Sequence, residues 1–168
     1  MLGAVERGGR IFVTGVGKSG LVGARLAASL SSTGTRAEFV HASDWLHGDL
    51  GKVGDRDAVV ALSHSGKTHE LLTVVPHLRA RNATLVTIVG HAESPLATKA
   101  DAAIVAPVPS DAEPFGLVPT ASVVVQEAVC NAIVRELLAR RGFSKKEFFL
   151  NHPGGAIGAA APGARGSA

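Results

Sequence analysis

Apolar residues follow two patterns along this chain, one typical of buried strands and one typical of helices. Three runs, at residues 10–14, 57–62 and 84–89, carry apolar side chains on both alternating faces. This pattern is typical of strands buried inside a parallel sheet. Two weaker runs, at residues 37–40 and 102–105, bring the number of predicted strands to five.

Helical patterns separate most of these strands. We predict helices at residues 18–33, 68–81, 94–100, 120–141 and 144–149. The first is followed by Gly34 and the fourth by Gly142, and glycine at this place favours the left-handed turn that ends a helix. Parallel strands joined by right-handed helical crossovers have helices on both faces. The chain is therefore predicted to be α/β, a three-layer α/β/α sandwich around a five-stranded parallel sheet.

Length and composition favour one domain of ordinary globular type. The chain has 168 residues, of which 46% are hydrophobic and 18% charged, and no run approaches the roughly 20 apolar residues of a membrane span. From residue 156 onward Gly and Ala dominate and cannot bury a useful apolar face. We expect a folded domain at residues 1–158 and a disordered tail at 159–168. The start of the chain lacks the features of a secretory signal, so we expect a soluble, cytoplasmic protein.

Charge and cysteine content narrow the possible ligands. The formal net charge is +3 at pH 7, but the Lys and Arg residues are scattered and aromatic residues make up 4% of the chain. Nucleic-acid-binding proteins concentrate basic charge or pair it with exposed aromatics, so a small anion such as a phosphate ester suits this chain better. The lone Cys130 excludes an internal disulfide and a cysteine-rich metal site, and its apolar surroundings predict a buried, inert thiol.

A glycine-rich segment follows the first predicted strand. Residues 15–20 read Gly-Val-Gly-Lys-Ser-Gly, and such glycines let a ligand approach the backbone at the anion-binding start of a helix. A Walker motif needs four residues between its first glycine and the Gly-Lys pair, but only Val16 stands there, so we reject nucleoside triphosphate binding. The dinucleotide fingerprint fits the three glycines, but Lys18 lies inside it. A nucleotide-binding oxidoreductase is therefore disfavoured.

A second segment, after the third predicted strand, is rich in hydroxyl groups. Ser63, Ser65 and Thr68 surround a glycine at the start of a predicted helix. Hydroxyls, backbone amides and the positive end of a helix together form a phosphate cradle. Glu70 falls in the first turn of that helix, where the helix dipole also favours a carboxylate without any catalytic role. Both interpretations of Glu70 remain open.

Two histidines stand in loops with unusual composition. His47 belongs to residues 41–51, which also hold two carboxylates and the only Trp, and His152 precedes a Pro-Gly-Gly turn after the last predicted helix. Imidazole titrates near neutral pH and can move protons during isomerisation. Histidines in loops are also often simply solvated, and spacing alone does not separate the two interpretations.

Five of these segments occur together in an order that belongs to a known family. Residues 15–20, 47–51, 63–70, 119–122 and 151–155 resemble the SIS (sugar isomerase) domain of arabinose-5-phosphate isomerases. The resemblance runs from about residue 9 to residue 158. It implies a flavodoxin-like SIS fold, a phosphorylated sugar as ligand, no cofactor or metal, and a homodimer or homotetramer. Members of the family interconvert D-ribulose 5-phosphate and D-arabinose 5-phosphate, the first step toward Kdo in lipopolysaccharide biosynthesis.

The resemblance also assigns roles to residues. Lys18, His47, Glu70 and His152 keep the residue types of the family's reactive positions, while Asp111 stands where the family has Glu. The implied substrate-binding residues are Gly17, Ser19, Ser63, Ser65, Thr68, Thr120 and Ser122.

Other positions depart from the family. Trp45 and Leu46 replace two small residues before His47, so we expect a bulkier pocket wall there, and Lys67 replaces a residue that is often Glu. Family members often carry two C-terminal CBS modules, and the resemblance covers the SIS domain alone.

A second hypothesis is that the chain binds a phosphosugar without catalysing a reaction. SIS domains also serve as phosphosugar-binding sensors, in which the hydroxyl loop remains but the acid and base residues need not. The presence of Lys18, His47, Glu70 and His152 favours the enzyme.

Overall fold

A computed structural model describes residues 1–162 of the chain. Its five strands are β1 (Ile11–Gly15), β2 (Ala37–His41), β3 (Ala58–Ser63), β4 (Thr84–Val89) and β5 (Ala102–Val105). They form one sheet in the order β2-β1-β3-β4-β5, and every neighbouring pair is parallel. The predicted five-stranded parallel sheet is confirmed. This strand order is the flavodoxin-like one, in which the direction of winding reverses between β1 and β3.

Seven α-helices accompany the sheet in the described part of the chain. They are α1 (Leu2–Glu6), α2 (Gly17–Ser32), α3 (His69–Arg79), α4 (Pro95–Thr98), α5 (Ala121–Arg141), α6 (Lys145–Asn151) and α7 (Gly155–Ala159). Five of them correspond to predicted helices, with ends that differ by at most two residues. The very short α1 and α7 were not predicted, nor were four 3-10 turns in the loops.

The two faces of the sheet are covered by different helices. On one face Phe12, Val59 and Leu85 pack with apolar residues of α3 and α4. On the other face Val13 and Val60 pack with apolar residues of α2 and α5. The strand side chains alternate between these two cores, which is why both faces of the strand runs are apolar. The structure is the predicted α/β/α sandwich.

Trp45 belongs to the first of these cores. Its side chain is fully buried, lies edge-on to Phe12 with 5.9 Å between ring centroids, and donates a hydrogen bond from Nε1 to Thr14 Oγ1 at 3.0 Å. The expectation that Trp45 thickens the wall of a pocket is therefore wrong. The ring fills the space between the sheet and the loop after β2, and its one polar atom has a partner.

Cys130 lies on the inner face of α5. Its side chain is fully buried, and loss of solvent around the thiol raises its pKa to about 11. The prediction of a buried thiol is confirmed.

The described part of the chain ends just after a short helix. Residues 155–159 form α7, and Gly158 is buried where an added Cβ would overlap the carbonyl of Pro153. Residues 156–159 are thus helical, and residues 163–168 of the expected tail lie outside the described residues. Within residues 1–162 no helix is both long and apolar enough to cross a membrane.

Candidate functional site

A cleft of about 600 Å³ opens at the carboxyl ends of the strands. Its lining comes from the segments that follow β1, β3, β4 and β5, and consists of Val16, Lys18, Ser19, His64, His91, Val108, Ser110, Glu113, Gly116, Leu117, Pro119 and Ser122. Ligands of open parallel sheets bind at this edge, beside the point where the winding reverses. A cavity of about 460 Å³ with Arg10 and Asn151 in its lining has none of the predicted site residues. The first cleft is therefore the candidate site.

The glycine-rich segment forms one wall of this cleft. Gly17 adopts φ +57°, a conformation that glycine enters without steric cost, and it begins α2 directly after β1. A side chain on Gly15 would approach the Gly20 amide to 3.0 Å. Lys18 and Ser19 follow in the first turn of α2, whose amides have no side-chain cap. This wall offers an ammonium group, a hydroxyl and uncapped helix amides to an anion.

The hydroxyl loop, residues 63–68, lies beside that wall. Ser63 Oγ lies 2.8 Å from Thr68 Oγ1 and accepts the Gly66 amide at 3.0 Å. Ser65 Oγ accepts the Lys67 amide at 3.2 Å. The predicted hydroxyls are therefore brought together, and part of their hydrogen bonding shapes the loop itself.

The hydroxyl loop rests on the start of α4. Gly66 has φ +62°, and a Cβ added there would overlap Ser94 Oγ. The Leu96 amide donates to the Gly66 carbonyl at 3.0 Å. The loop can adopt this conformation because residue 66 is glycine.

Glu113 is a site residue that sequence reasoning missed. Its Oε2 accepts the Thr120 amide at 2.6 Å, the Thr120 hydroxyl at 2.8 Å and the Ala121 amide at 3.2 Å, while Oε1 accepts the Ser122 amide at 2.8 Å. The Ser122 side chain and amide, with the amide and hydroxyl of Thr120, hold the Glu113 pKa at about 2 against the opposing effect of desolvation. A carboxylate of this chain therefore occupies the start of α5.

This capping arrangement involves two of the predicted substrate-binding residues. Thr120 and Ser122 both donate to Glu113, and Ser122 lines the cleft. The amides that these residues would otherwise present to an anion are occupied. No local pattern marks Glu113, because its partners lie seven to nine residues further on, across an irregular loop.

His64 and His91 were also missed. Both line the cleft, and their ring centroids lie 5.7 Å apart. His64 is in the hydroxyl loop, and His91 follows Gly90 after the end of β4. The position of His91 after a central strand could have identified it, since each such segment reaches the ligand-binding edge.

Three of the predicted catalytic residues are exposed near this edge of the sheet without lining the cleft. His47 ends the 3-10 turn Asp44–His47, Glu70 lies in the first turn of α3, and Asp111 lies in the 3-10 turn Ser110–Ala112. Asp111 is next to Ser110, which does line the cleft.

His152 lies elsewhere. Its Nδ1 is 2.8 Å from the Phe148 carbonyl and its ring stacks on Phe148 at 4.1 Å. The neighbouring Asn151 donates to the carbonyl of Ser32, the last residue of α2, at 3.1 Å. Lys18 is at the other end of this helix, about 21 Å away at 1.5 Å per residue. Within one chain, His152 and the cleft are at opposite ends of α2.

The described residues contain no cluster of three or more His, Cys, Asp or Glu side chains that could hold a metal ion.

Several known proteins are similar to this chain in sequence and in fold. The family model for the SIS domain matches residues 5–135. The arabinose 5-phosphate isomerase KdsD of Pseudomonas aeruginosa is 44% identical over 150 residues, which is 89% of this chain and 46% of that protein. The chain thus spans about half the length of this curated relative.

Two solved structures superpose closely. The Escherichia coli CFT073 protein c3406, solved in complex with arabinose 5-phosphate, has a TM-score of 0.82 and 38% identity, covering 86% of this chain and 77% of that one. A Listeria monocytogenes structure has a TM-score of 0.85 and 31% identity, covering 91% of this chain and 80% of that one. The parallel sheet, the cleft at its carboxyl edge and these similarities lead to one conclusion: the chain belongs to the SIS domain family.

Proposed function

We propose that this chain is an aldose-ketose isomerase that interconverts D-ribulose 5-phosphate and D-arabinose 5-phosphate through an enediol. The observation that carries the proposal is the cleft, in which Lys18, Ser19 and Ser122 converge beside the hydroxyl loop. The 44% identity to an arabinose 5-phosphate isomerase supports this choice of sugar. We place the protein in the cytoplasm, as a homodimer or homotetramer, at the start of Kdo and lipopolysaccharide biosynthesis.

The phosphate of the substrate would bind between the glycine-rich segment and the hydroxyl loop. Ser65, Thr68 and Ser19 offer hydroxyls there, and Gly17 allows the backbone to approach. The first turns of α2 and α3 have no side-chain caps, so their amides can donate to an anion. Ser63 would hold the loop in shape through its contacts with the hydroxyl of residue 68 and the amide of residue 66.

The chemistry requires a base, an acid and stabilisation of negative charge. A base removes the proton from the carbon next to the carbonyl, an enediol forms, and the proton returns to the adjacent carbon. We assign Lys18 to the developing oxyanion, Glu70 to the base and His47 to ring opening.

The remaining predicted residues would support these three. Asp111 is an additional carboxylate, and Thr120 and Ser122 would contact sugar hydroxyls. His152 is the rival to Glu70 as base; we expect both side chains to be required, with His152 acting in the cleft of a neighbouring chain.

The activity test follows conversion of ribulose 5-phosphate to arabinose 5-phosphate. Glu70→Gln should reduce kcat at least about 100-fold, because a positioned base contributes that much or more. Glu136→Gln is the matched control, since Glu136 is an exposed carboxylate of α5 outside the cleft and should leave the rate unchanged. Full activity in Glu70→Gln would remove Glu70 from the mechanism.

A specific observation favours the second candidate function, a phosphosugar sensor without catalysis. Glu70, His47 and His152 do not line the cleft of a single chain, whereas Lys18 and Ser19 do. If no pentose or hexose phosphate is isomerised while a phosphosugar still raises the melting temperature, the sensor replaces the enzyme.

A further inference from the structure

His64 and His91 form a pair of imidazoles that the proposed mechanism leaves unused. Both line the cleft, with 5.7 Å between ring centroids and an angle of 55° between ring planes. They come from different segments, one in the hydroxyl loop and one after β4. The fold therefore brings them together from positions 27 residues apart in the sequence.

The backbone holds His64 in this place. The Gly90 amide donates to the His64 carbonyl at 2.8 Å, and a Cβ on Gly90 would lie 2.6 Å from His64 Cε1. The imidazole thus rests on the bare backbone of residue 90. A larger residue at this position would displace the ring from the cleft.

The ring nitrogens of the pair have no partner in the described part of the protein. In residues 1–162, the histidine side chains that make hydrogen bonds are His41, His69 and His152. Those of His64 and His91 are free to bind a ligand. An imidazole that is held in a cleft with free nitrogens can bind an anion once it is protonated.

The charges of the cleft indicate how much positive charge the imidazole pair would supply to a bound phosphate. Lys18 from α2 and Glu113 from the loop after β5 carry the fixed charges of the lining, and they cancel. Lys67 and Glu93 flank the pair on its own two segments and also cancel. A phosphate monoester brings a charge of about −1.5 to −2 at pH 7. The helix amides compensate part of this charge, and two imidazolium groups would compensate the rest.

We propose that His64 and His91 bind the phosphate group of the ligand as a pair that takes up protons when the ligand enters. A phosphate between or beside the two rings, whose centroids lie 5.7 Å apart, would pair with the protonated form of each imidazole. Binding is therefore linked to protonation. The identity of the sugar phosphate rests on the proposed function, while the imidazole pair does not.

The test measures proton uptake by titration calorimetry at pH 7.5, in buffers with different ionisation enthalpies. Arabinose 5-phosphate and inorganic phosphate are the two probes. The wild-type protein should take up protons with both. The double variant His64→Gln, His91→Gln should lose this uptake relative to wild type and bind both probes at least about tenfold more weakly, as expected for hydrogen bonds to a charged group.

His77→Gln is the matched control, since His77 is an exposed histidine of α3 outside the cleft. It should keep wild-type affinity and uptake. Circular dichroism of the double variant checks that the fold is intact. Unchanged proton uptake in a folded double variant would overturn the proposal. So would weaker binding of the sugar phosphate with unchanged binding of inorganic phosphate, because the imidazoles would then contact the sugar.

Kinetics separate this inference from the proposed function. If isomerisation occurs, the double variant should raise KM by a larger factor than it lowers kcat. If the wild-type protein binds phosphosugars with proton uptake but isomerises none, the proposed function fails and the imidazole pair stands. If isomerisation proceeds and the double variant retains uptake, the imidazole pair fails alone.

Discussion

At the scale of single residues, two side chains attach loops at the carboxyl edge of the sheet to the rest of the fold. Glu113 ties the loop after β5 to the start of α5 through four hydrogen bonds. Trp45 ties the loop after β2 to β1 through the Thr14 hydroxyl. Each provides a partner for polar groups that burial would otherwise leave unpaired, which is a costly arrangement.

Glu113 should make stability depend on pH in the acid range. Its pKa in the folded protein is held at about 2, below its ordinary value of 4.5. The carboxylate therefore stabilises the fold above about pH 4.5, and this contribution is lost as the pH falls toward 2. Glu113→Gln should lower the free energy of unfolding at pH 6 by more than it does at pH 3. Urea denaturation at the two pH values measures this difference.

The control for this prediction is Glu136→Gln, which removes an exposed carboxylate paired with Arg140. An equal loss at both pH values for Glu113→Gln would contradict the assigned role.

Trp45→Phe should destabilise the fold by about 2–4 kcal/mol, since it leaves the Thr14 hydroxyl unpaired and opens space in the core. The free energy of unfolding from urea titration measures it. Thr14→Val is the partner variant in a double-mutant cycle. The double variant should lose less than the sum of the two single losses, because the hydrogen bond is removed once. Strict additivity would show that the two side chains do not interact.

The sequence predicted the site residues that have a local signature. Lys18 and Ser19 follow a glycine-rich turn, and the hydroxyls at 63, 65 and 68 cluster before a helix, so their positions at the start of α2 and α3 could be inferred. Glu113 could not be inferred in the same way, and the position of His91 after β4 indicated only that it lies near the ligand-binding edge. Their importance comes from tertiary contacts, the amides of α5 for one and the ring of His64 for the other, and neither contact leaves a pattern in neighbouring residues.

At the scale of structural elements, the hydroxyl loop depends on one glycine. Gly66→Ala should destabilise the fold by about 1–3 kcal/mol, because alanine at positive φ is strained and its Cβ would overlap Ser94. Thermal and urea unfolding measure the loss. Gly51→Ala is the control, since nothing lies within 4 Å of a Cβ added there. Equal stability in the two variants would refute the role of Gly66.

The sequence predicted the strands and helices whose buried faces give a regular spacing of apolar residues. The strands and α2, α3 and α5 each bury a continuous face, so their apolar spacing is clear. In contrast, α1 and α7 have five residues each, fewer than two turns, and their sequences show no period. The loop between β5 and α5 has no regular spacing of apolar residues either. The residues that it adds to the cleft were therefore identified only in the structure.

At the scale of the whole molecule, α2 separates two groups that the proposed reaction needs together. Lys18 begins this helix and His152 lies near its end, so both act in one cleft if two chains exchange their α6 regions. In that case, co-expression of Glu70→Gln chains with His152→Ala chains should restore about a quarter of wild-type activity, since half of randomly paired dimers are mixed and one of their two clefts is intact. Ribulose 5-phosphate turnover by the mixture measures this recovery.

Each variant alone should be inactive in that experiment. A mixture that stays inactive, although native mass spectrometry shows mixed dimers, would remove His152 from the neighbouring cleft.

The buried thiol of Cys130 has a practical consequence for experiments of this kind. With its pKa at about 11 and no solvent contact, it forms almost no thiolate at neutral pH and should not react with maleimides while the chain is folded. A cysteine introduced on the surface would then be the single site of labelling, without removal of the natural one. Fluorophores attached in this way could report distances between chains in solution, and slow labelling of Cys130 itself would time the opening of the core around α5.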